Sequence, residues 1–275
     1  MSHQPLKLLI LGAHPDDCEY HAGGLAAIYS AAGHEVKLVS VTNGQSGHHS
    51  RTAAELITIR RNEAHAAAAV IDAESAVWEH PDGRLQPTIE LREQIIRVIR
   101  SFAPDLVLTH RTNDYHPDHR AVGQAVQDAS YLVTVPLVCP EVAHLRRDPV
   151  VAYLPDLFTK PAPLVPDVVL DIAPQMEVII RMLAAHHSQF FEWLPYNEQR
   201  LEQVPHSLDA RRHWLTEWFA EKIRPRAERC RARLIETYGP ARGSAIEFCE
   251  MFEVSEYAAP LDVETRKRLF WFLPE

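Results

Sequence analysis

Two short segments about a hundred residues apart carry imidazoles and carboxylates, each group arranged around a proline: His14-Pro15-Asp16-Asp17 and His116-Pro117-Asp118-His119. Imidazole nitrogen and carboxylate oxygen are the donors that a catalytic zinc prefers, typically three of them with one position left open for water. His14, Asp17 and His119 make such a set. Asp16, beside a ligand but directed elsewhere, suits a base that takes a proton from water as it attacks a carbonyl. His116, one helical turn before His119, could donate to a developing oxyanion or protonate a leaving amine, with Asp118 holding its position and tautomer. Pro15 and Pro117 fix φ at the start of each turn and so orient the ligands beside them.

Either segment alone reads as a turn or helix cap, its Asp accepting backbone N–H groups. Two of them, each directly after a strand, read as one site. His80, beside Pro81-Asp82-Gly83, is expected in a turn, and His48 and His49, next to Gly47, in a mobile loop.

Strands and helices must alternate to position these segments. Lys7 to Leu11 is a short apolar run ending at Gly12, and Ala22 to Ala32 follows as a helix closed by Gly33. Glu35 to Val41 reads as a second strand, Thr52 to Ile71 as the clearest long helix, and Ala76 to Trp78 as a short third strand. Thr88 to Phe102 is helical, Asp105 to Thr109 a strand, and Asp118 to Val133 a further helix. This alternation predicts parallel βαβ units with helices on both faces, a doubly wound α/β core over residues 1–135. Ligands of such sheets bind beyond the carboxyl ends of the strands at the switch point, where adjacent first and fourth strands would bring both segments together.

The remaining residues, 136–275, read as extended segments and then a helical elaboration of the same domain. Eight prolines from Pro136 to Pro174 flank valine-rich pieces at Val150 to Leu154 and Val168 to Ile172. Helices are expected over Met176 to Phe191, Leu208 to Tyr238 and Val263 to Phe272, with a strand over Glu247 to Val254.

Composition limits the function. The 275 residues include 46% hydrophobic and 24% charged types, an ordinary globular balance. A net charge of −9 argues against nucleic acid or an anionic membrane surface as partner. Arg224, Arg226, Arg229, Arg231 and Arg233 interleave with Glu221, Glu228 and Glu236 and read as a solvated helix face. No run reaches membrane-spanning length, and the first residues lack the pattern of a signal peptide, so a cytoplasmic protein is expected. Cys18, Cys139, Cys230 and Cys249 show no CxxC spacing and are expected to be reduced. Cys18, inside the first segment, is either inert and buried or a reactive thiol. Apolar helices in the C-terminal third suggest a homo-oligomer.

Ala13-His14-Pro15-Asp16-Asp17 with Glu19 and Gly23-Gly24, together with His116-Pro117-Asp118-His119, resembles the signature of the PIG-L (LmbE-like) family of zinc-dependent N-deacetylases. Val41-Thr42-Asn43-Gly44, Arg60 with Glu63, Pro81-Asp82-Gly83, His186-His187-Ser188-Gln189 and Glu250 to Phe252 recur in family order. The resemblance implies a Rossmann-like fold and hydrolysis of an acetamide on an amino sugar, such as an N-acetylglucosamine conjugate. It implies zinc on His14, Asp17 and His119, Asp16 as general base, and His116 stabilising the oxyanion with help from Asp118. Arg60 and Asp82 would approach the substrate.

Residues 130–166 and 194–238 match no family motif and are where substrate choice is expected to reside. Trp193, Tyr196, Trp214 and Trp218 there could stack on a sugar ring or simply fill the core. Two other functions are compatible with the residues: the same machinery acting on a non-sugar amide, such as a thiol conjugate or antibiotic precursor, and a non-catalytic Rossmann-type binding module. Against a dinucleotide, the first turn is Gly12-Ala13-His14-Pro15-Asp16-Asp17, with no GxGxxG and with carboxylates where a phosphate would sit.

Overall fold

The computed structural model describes residues 5–274. In chain order its elements are β1 (Lys7–Gly12), α1 (Asp17–Ala31), β2 (Glu35–Thr42), α2 (Ala53–Ala69), β3 (Glu74–His80), α3 (Ile89–Phe102), β4 (Leu106–Thr109) and α4 (Pro117–Ala129). The second half adds β5 (Val150–Tyr153), β6 (Val168–Asp171), α5 (Met176–Ala185), α6 (Leu194–Asn197), α7 (Leu208–Arg229), α8 (Arg231–Tyr238), α9 (Pro240–Ala245), β7 (Cys249–Val254) and α10 (Val263–Leu269). The strands form one sheet in the order β3-β2-β1-β4-β5-β7-β6. β1 to β5 are parallel, and β7 runs antiparallel to both of its neighbours. The architecture is Rossmann-like, with its topological switch between the adjacent strands β1 and β4.

Alternation along β1 sorts its side chains into two cores. Leu8 and Ile10 join the face covered by α1, α2, α5 and α7, whereas Leu9 and Leu11 join the face covered by α3 and α4. All four are fully buried, as expected for a central parallel strand with helices on both faces. A third, smaller core forms where β6 and β7 meet α7 and α8.

Several boundaries differ from the sequence expectation. β3 is longer, Glu74–His80 rather than Ala76 to Trp78, so His80 ends a strand instead of occupying a turn; its carbonyl accepts Asn43 N and its Nε2 contacts Gln94 Oε1. The helix expected over Met176 to Phe191 stops at Ala185 and resumes as a π-helical turn, Ser188–Trp193. The long helix expected to Tyr238 breaks at Cys230 into α7 and α8.

α1 begins five residues earlier than the apolar period suggests, because Ala22 (φ −141°, ψ 21°) kinks it. The kink releases backbone N–H groups in mid-helix, and Glu250, on β7, accepts them: Gly24 N at 2.6 Å and Leu25 N at 2.9 Å. Residue 24 must be glycine, since a Cβ there would lie 2.6 Å from Ile172 Cγ2. Burial pushes the Glu250 carboxyl up to about 7, opposed by those two N–H groups and by Arg226.

A carboxyl raised in the folded state binds its proton more tightly there, so its contribution to stability is full below the unfolded value and is lost as pH rises through about 7. Glu250→Gln leaves one N–H without an acceptor and should destabilise the fold by about 1–3 kcal/mol. Thermal melts should show a larger gap between the two proteins at pH 5 than at pH 8. An equal gap at both would exclude Glu250 as the titrating group.

Candidate metal centre and cavity

Parallel pairing of β1 with β4 aligns Leu11 with Thr109, so the loops that follow both strands leave the sheet side by side. The first loop is tied down by Thr42, whose N and Oγ1 both donate to Ala13 O at 2.8 Å. It then reverses through Asp16, whose φ of 131° is a conformation L residues seldom adopt. Such strain costs roughly 1–3 kcal/mol and persists only where the surroundings enforce it. In the second loop His116 is the N-cap of α4, its Nδ1 accepting Asp118 N at 3.2 Å, with Pro117 at the first helical position. The cap and the site are therefore the same residues.

Three donor atoms converge. His14 Nδ1 lies 3.2 Å from His119 Nε2 and 3.4 Å from Asp17 Oδ2, and His119 Nε2 lies 3.5 Å from that oxygen. Ligands at 2.0–2.1 Å around a tetrahedral ion are separated by about 3.3–3.4 Å, so this triangle has the size of a divalent-metal site. The opposite nitrogen of His14 faces Asp82 Oδ1 at 3.3 Å and Asp118 Oδ2 at 3.4 Å. A proton held there leaves Nδ1 with its lone pair free towards the metal position.

Around the triangle, charge interactions outweigh desolvation. Burial would lower His14, yet Asp118, Asp17 and Asp82 raise it well above the ordinary imidazole range. Burial would raise Asp17, but His119 and His110 hold it well below the usual carboxylate value. Asp16 behaves differently: burial and neighbouring Asp17 push it up to about 7, against the pull of His186 and Arg60.

All the expected site residues meet at one cavity of about 630 Å³ except Asp118, which sits behind His14. Asp118 departs from expectation. At the second position of α4 its carboxylate turns towards the loop after β3, accepting Gly83 N at 2.6 Å and Leu85 N at 3.1 Å, and supports His14 rather than His116. The tautomer of His116 is set instead by the Asp118 backbone N–H on Nδ1, which leaves its proton on Nε2. Arg60 lies on the wall with its Nη2 donating to Gly47 O at 2.6 Å, and Asp82 Oδ2 accepts Ser46 N at 3.1 Å.

Other expectations need correction. His48 and His49 are not in a free loop: His48 Nε2 contacts Glu192 Oε2 at 2.8 Å, and His49 stacks on Tyr196 at 3.9 Å. Trp193 and Trp218 reach the cavity, while Trp214 packs against the core. Cys18 is buried with its Sγ directed at the Ile10 and Val39 carbonyls, and burial pushes its thiol well up, which suits the inert alternative. The arginine-rich stretch is not uniformly solvated, since Arg226 is only 4% exposed and lines the cavity. A larger hollow of about 980 Å³ near Arg111, Tyr153 and Arg233 contains none of the candidate metal ligands.

Two residues at the centre went unnoticed in the sequence. His110, directly after β4, lies 3.1 Å from Asp17 Oδ2 and stacks on His119 with ring centres 3.9 Å apart. Asp114 Oδ1 lies 3.1 Å from His119 Nδ1. The same rule that located the two segments, the carboxyl end of a central strand, also points to His110.

Fold and site together describe a Rossmann-like protein with a histidine–carboxylate cluster, a candidate metal centre, at the switch point. Residues 9–130 match the family model of the PIG-L GlcNAc-PI de-N-acetylases. It is 28% identical over 205 residues to diacetylchitobiose deacetylase of Thermococcus kodakarensis, covering 69% of this chain and 74% of that protein. It is 26% identical to 4-oxalmesaconate hydratase of Pseudomonas putida over 54% of this chain and 60% of the hydratase. The fold is similar to that of N,N'-diacetylchitobiose deacetylase from Pyrococcus horikoshii, with a TM-score of 0.69 and 21% identity over 91% of this chain and 84% of that one.

His110→Phe keeps a ring stacked on His119 but removes the contact with Asp17 and the acceptor of the Ala13 backbone N–H. Competition titration should show divalent-metal affinity reduced about 10- to 100-fold, the usual cost of losing a partner behind a ligand. Unchanged affinity would reduce His110 to a space-filling ring.

Proposed function

We propose that this protein is a metal-dependent N-deacetylase, with zinc as the metal, that hydrolyses an acetamide on a small amino-sugar-like substrate. The observation that carries it is the triangle of His14 Nδ1, Asp17 Oδ2 and His119 Nε2 opening onto a cavity that also presents Asp16 and His116. The deacetylase relative and the PIG-L domain support the same reaction class.

A divalent ion on those three residues supplies Lewis acidity, which activates water and polarises a carbonyl. Asp16 takes the proton from the attacking water on its carboxylate and returns it to the departing amine. Its strained backbone turns it away from the ligand Asp17 and into the cavity. His116, neutral and protonated on Nε2, donates to the oxygen that gains negative charge as the carbonyl is attacked. Asp118 and Asp82 keep the proton of His14 on Nε2. Arg60 and Asp82 hold the polar edge of the substrate.

The hydratase relative favours a second reaction, addition of water across a conjugated double bond, which would use the same proton acceptor and donor. The products differ, so a coupled acetate assay and the loss of conjugated ultraviolet absorbance separate the two.

Purified protein should hold about one zinc per chain and release acetate from N-acetylated amino sugars. Asp16→Asn should keep the metal while turnover falls by about 10²- to 10⁴-fold. Full turnover in that variant would remove Asp16 as the base. His119→Ala should lose the metal itself, and elemental analysis showing unchanged zinc would refute its place as a ligand.

A further inference from the structure

Arg226, on α7, is almost completely enclosed, lines the cavity and has no carboxylate within ion-pair distance among the described residues. Its Nη2 contacts His21 Nδ1 at 3.3 Å, and its guanidinium lies 5.3 Å from the centre of the Tyr20 ring. Its buried Nη1 has no hydrogen-bond acceptor among the described residues. The carboxylate whose field reaches it, Glu250, already has both oxygens occupied by Gly24 N and Leu25 N.

The other cations on this wall are balanced. Lys222, one helical turn before Arg226, pairs with Glu198 Oε1 at 2.8 Å. Arg60 sits within the field of Asp16, Glu63, Asp82 and Asp17. Burying a guanidinium without a directly paired counter-charge is costly, and its contacts with an aromatic face and a histidine offset only part of that cost.

Arg226 is also close to the chemistry. The His21 ring lies 5.9 Å from the His110 ring, which stacks on His119. Arg226 also lines the same cavity of about 630 Å³ as His14, Asp17 and His119, so one small molecule in it can lie against both.

We propose that Arg226 determines specificity by pairing with a carboxylate on the substrate, apart from its acetamide. The acetamide end rests on the deacetylase function proposed above; the carboxylate end does not. One unpaired guanidinium matches the single charge and planar fork of a carboxylate. A phosphate, carrying about −1.5 to −2, would leave excess negative charge in a cavity already rich in carboxylates.

Acetate release by the wild type is compared for N-acetylglucosamine, N-acetylmuramic acid, N-acetylglucosaminuronic acid and N-acetylglucosamine phosphate. Binding of muramic acid and glucosamine, which need no turnover, is measured in parallel by calorimetry. At least one carboxylated substrate should exceed the neutral sugar in kcat/KM, and muramic acid should bind more tightly than glucosamine. In Arg226→Gln the ratio of carboxylated to neutral kcat/KM should fall about 10- to 100-fold, with part restored in Arg226→Lys. Damage to folding would lower both substrates alike and leave that ratio in place.

A wild type with no preference for carboxylates in either kinetics or binding overturns the proposal, even if neither variant folds. Preference for the phosphate over both carboxylates overturns the carboxylate assignment. If no sugar releases acetate, the deacetylase function fails, and the calorimetric comparison still decides the role of Arg226.

Discussion

The parallel pairing of β1 with β4 is the constraint on which the rest depends. Leu11 opposite Thr109 places the ends of two strands, separated by almost a hundred residues of chain, at neighbouring points on one edge. Everything at the centre then follows from loops that have no choice but to meet: His14 and Asp17 from one, His110, His116 and His119 from the other. A one-residue slip in that register would exchange the two hydrophobic faces of β1, so the packing that buries Leu8 and Ile10 against α1 and Leu9 and Leu11 against α3 also fixes the geometry of the candidate ligands. Core and site are held by the same register.

That arrangement concentrates charge in a way a folded protein tolerates only with compensation. Asp16, Asp17, Asp82 and Asp118 crowd around His14, His110, His116 and His119 within a few ångströms. The histidines and carboxylates stabilise one another, and backbone N–H groups from Gly83 and Leu85 absorb Asp118. A divalent ion would draw together the three atoms whose lone pairs face one another, which is why the triangle makes physical sense as a binding site rather than as an ion-pair cluster.

Much of this was legible in the sequence because it rests on local rules. Alternating apolar runs and helical periods identify β1 to β5 and α1 to α4 within a few residues, and His-Pro-Asp patterns after strands mark the two loops. What escaped depends on tertiary contacts. Asp118 looks like the partner of His116 when only spacing is considered, but the start of α4 turns its side chain across to His14. His110 stands alone after Thr109 with no motif around it. Arg226 lies in a run of mixed charge that any solvated helix could carry, and only the kink of α1 and the docking of α7 reveal that it is buried. The kink was hidden too, because Ala22 is a good helix former and only Glu250, more than two hundred residues away, makes the break affordable.

The division between what could and could not be read follows the division of labour within the chain. The first half supplies the candidate centre from residues adjacent in sequence to strand ends, where topology alone dictates their place. The second half supplies walls: Trp193 from a π-helical turn, and Trp218, Lys222 and Arg226 from a single face of α7. A π turn shifts its helix register by one residue relative to an α-helix, so the wall it builds cannot be inferred from a 3.6-residue period. Spacing of four residues along α7, by contrast, places Trp218, Lys222 and Arg226 in one row above the centre. That row can change without disturbing the β1–β4 register that builds the centre, because α7 lines the cavity and takes no part in the strand pairing. The candidate centre and the far wall of the cavity are thus attached to different elements of the fold, the first to the ends of β1 and β4 and the second to α7.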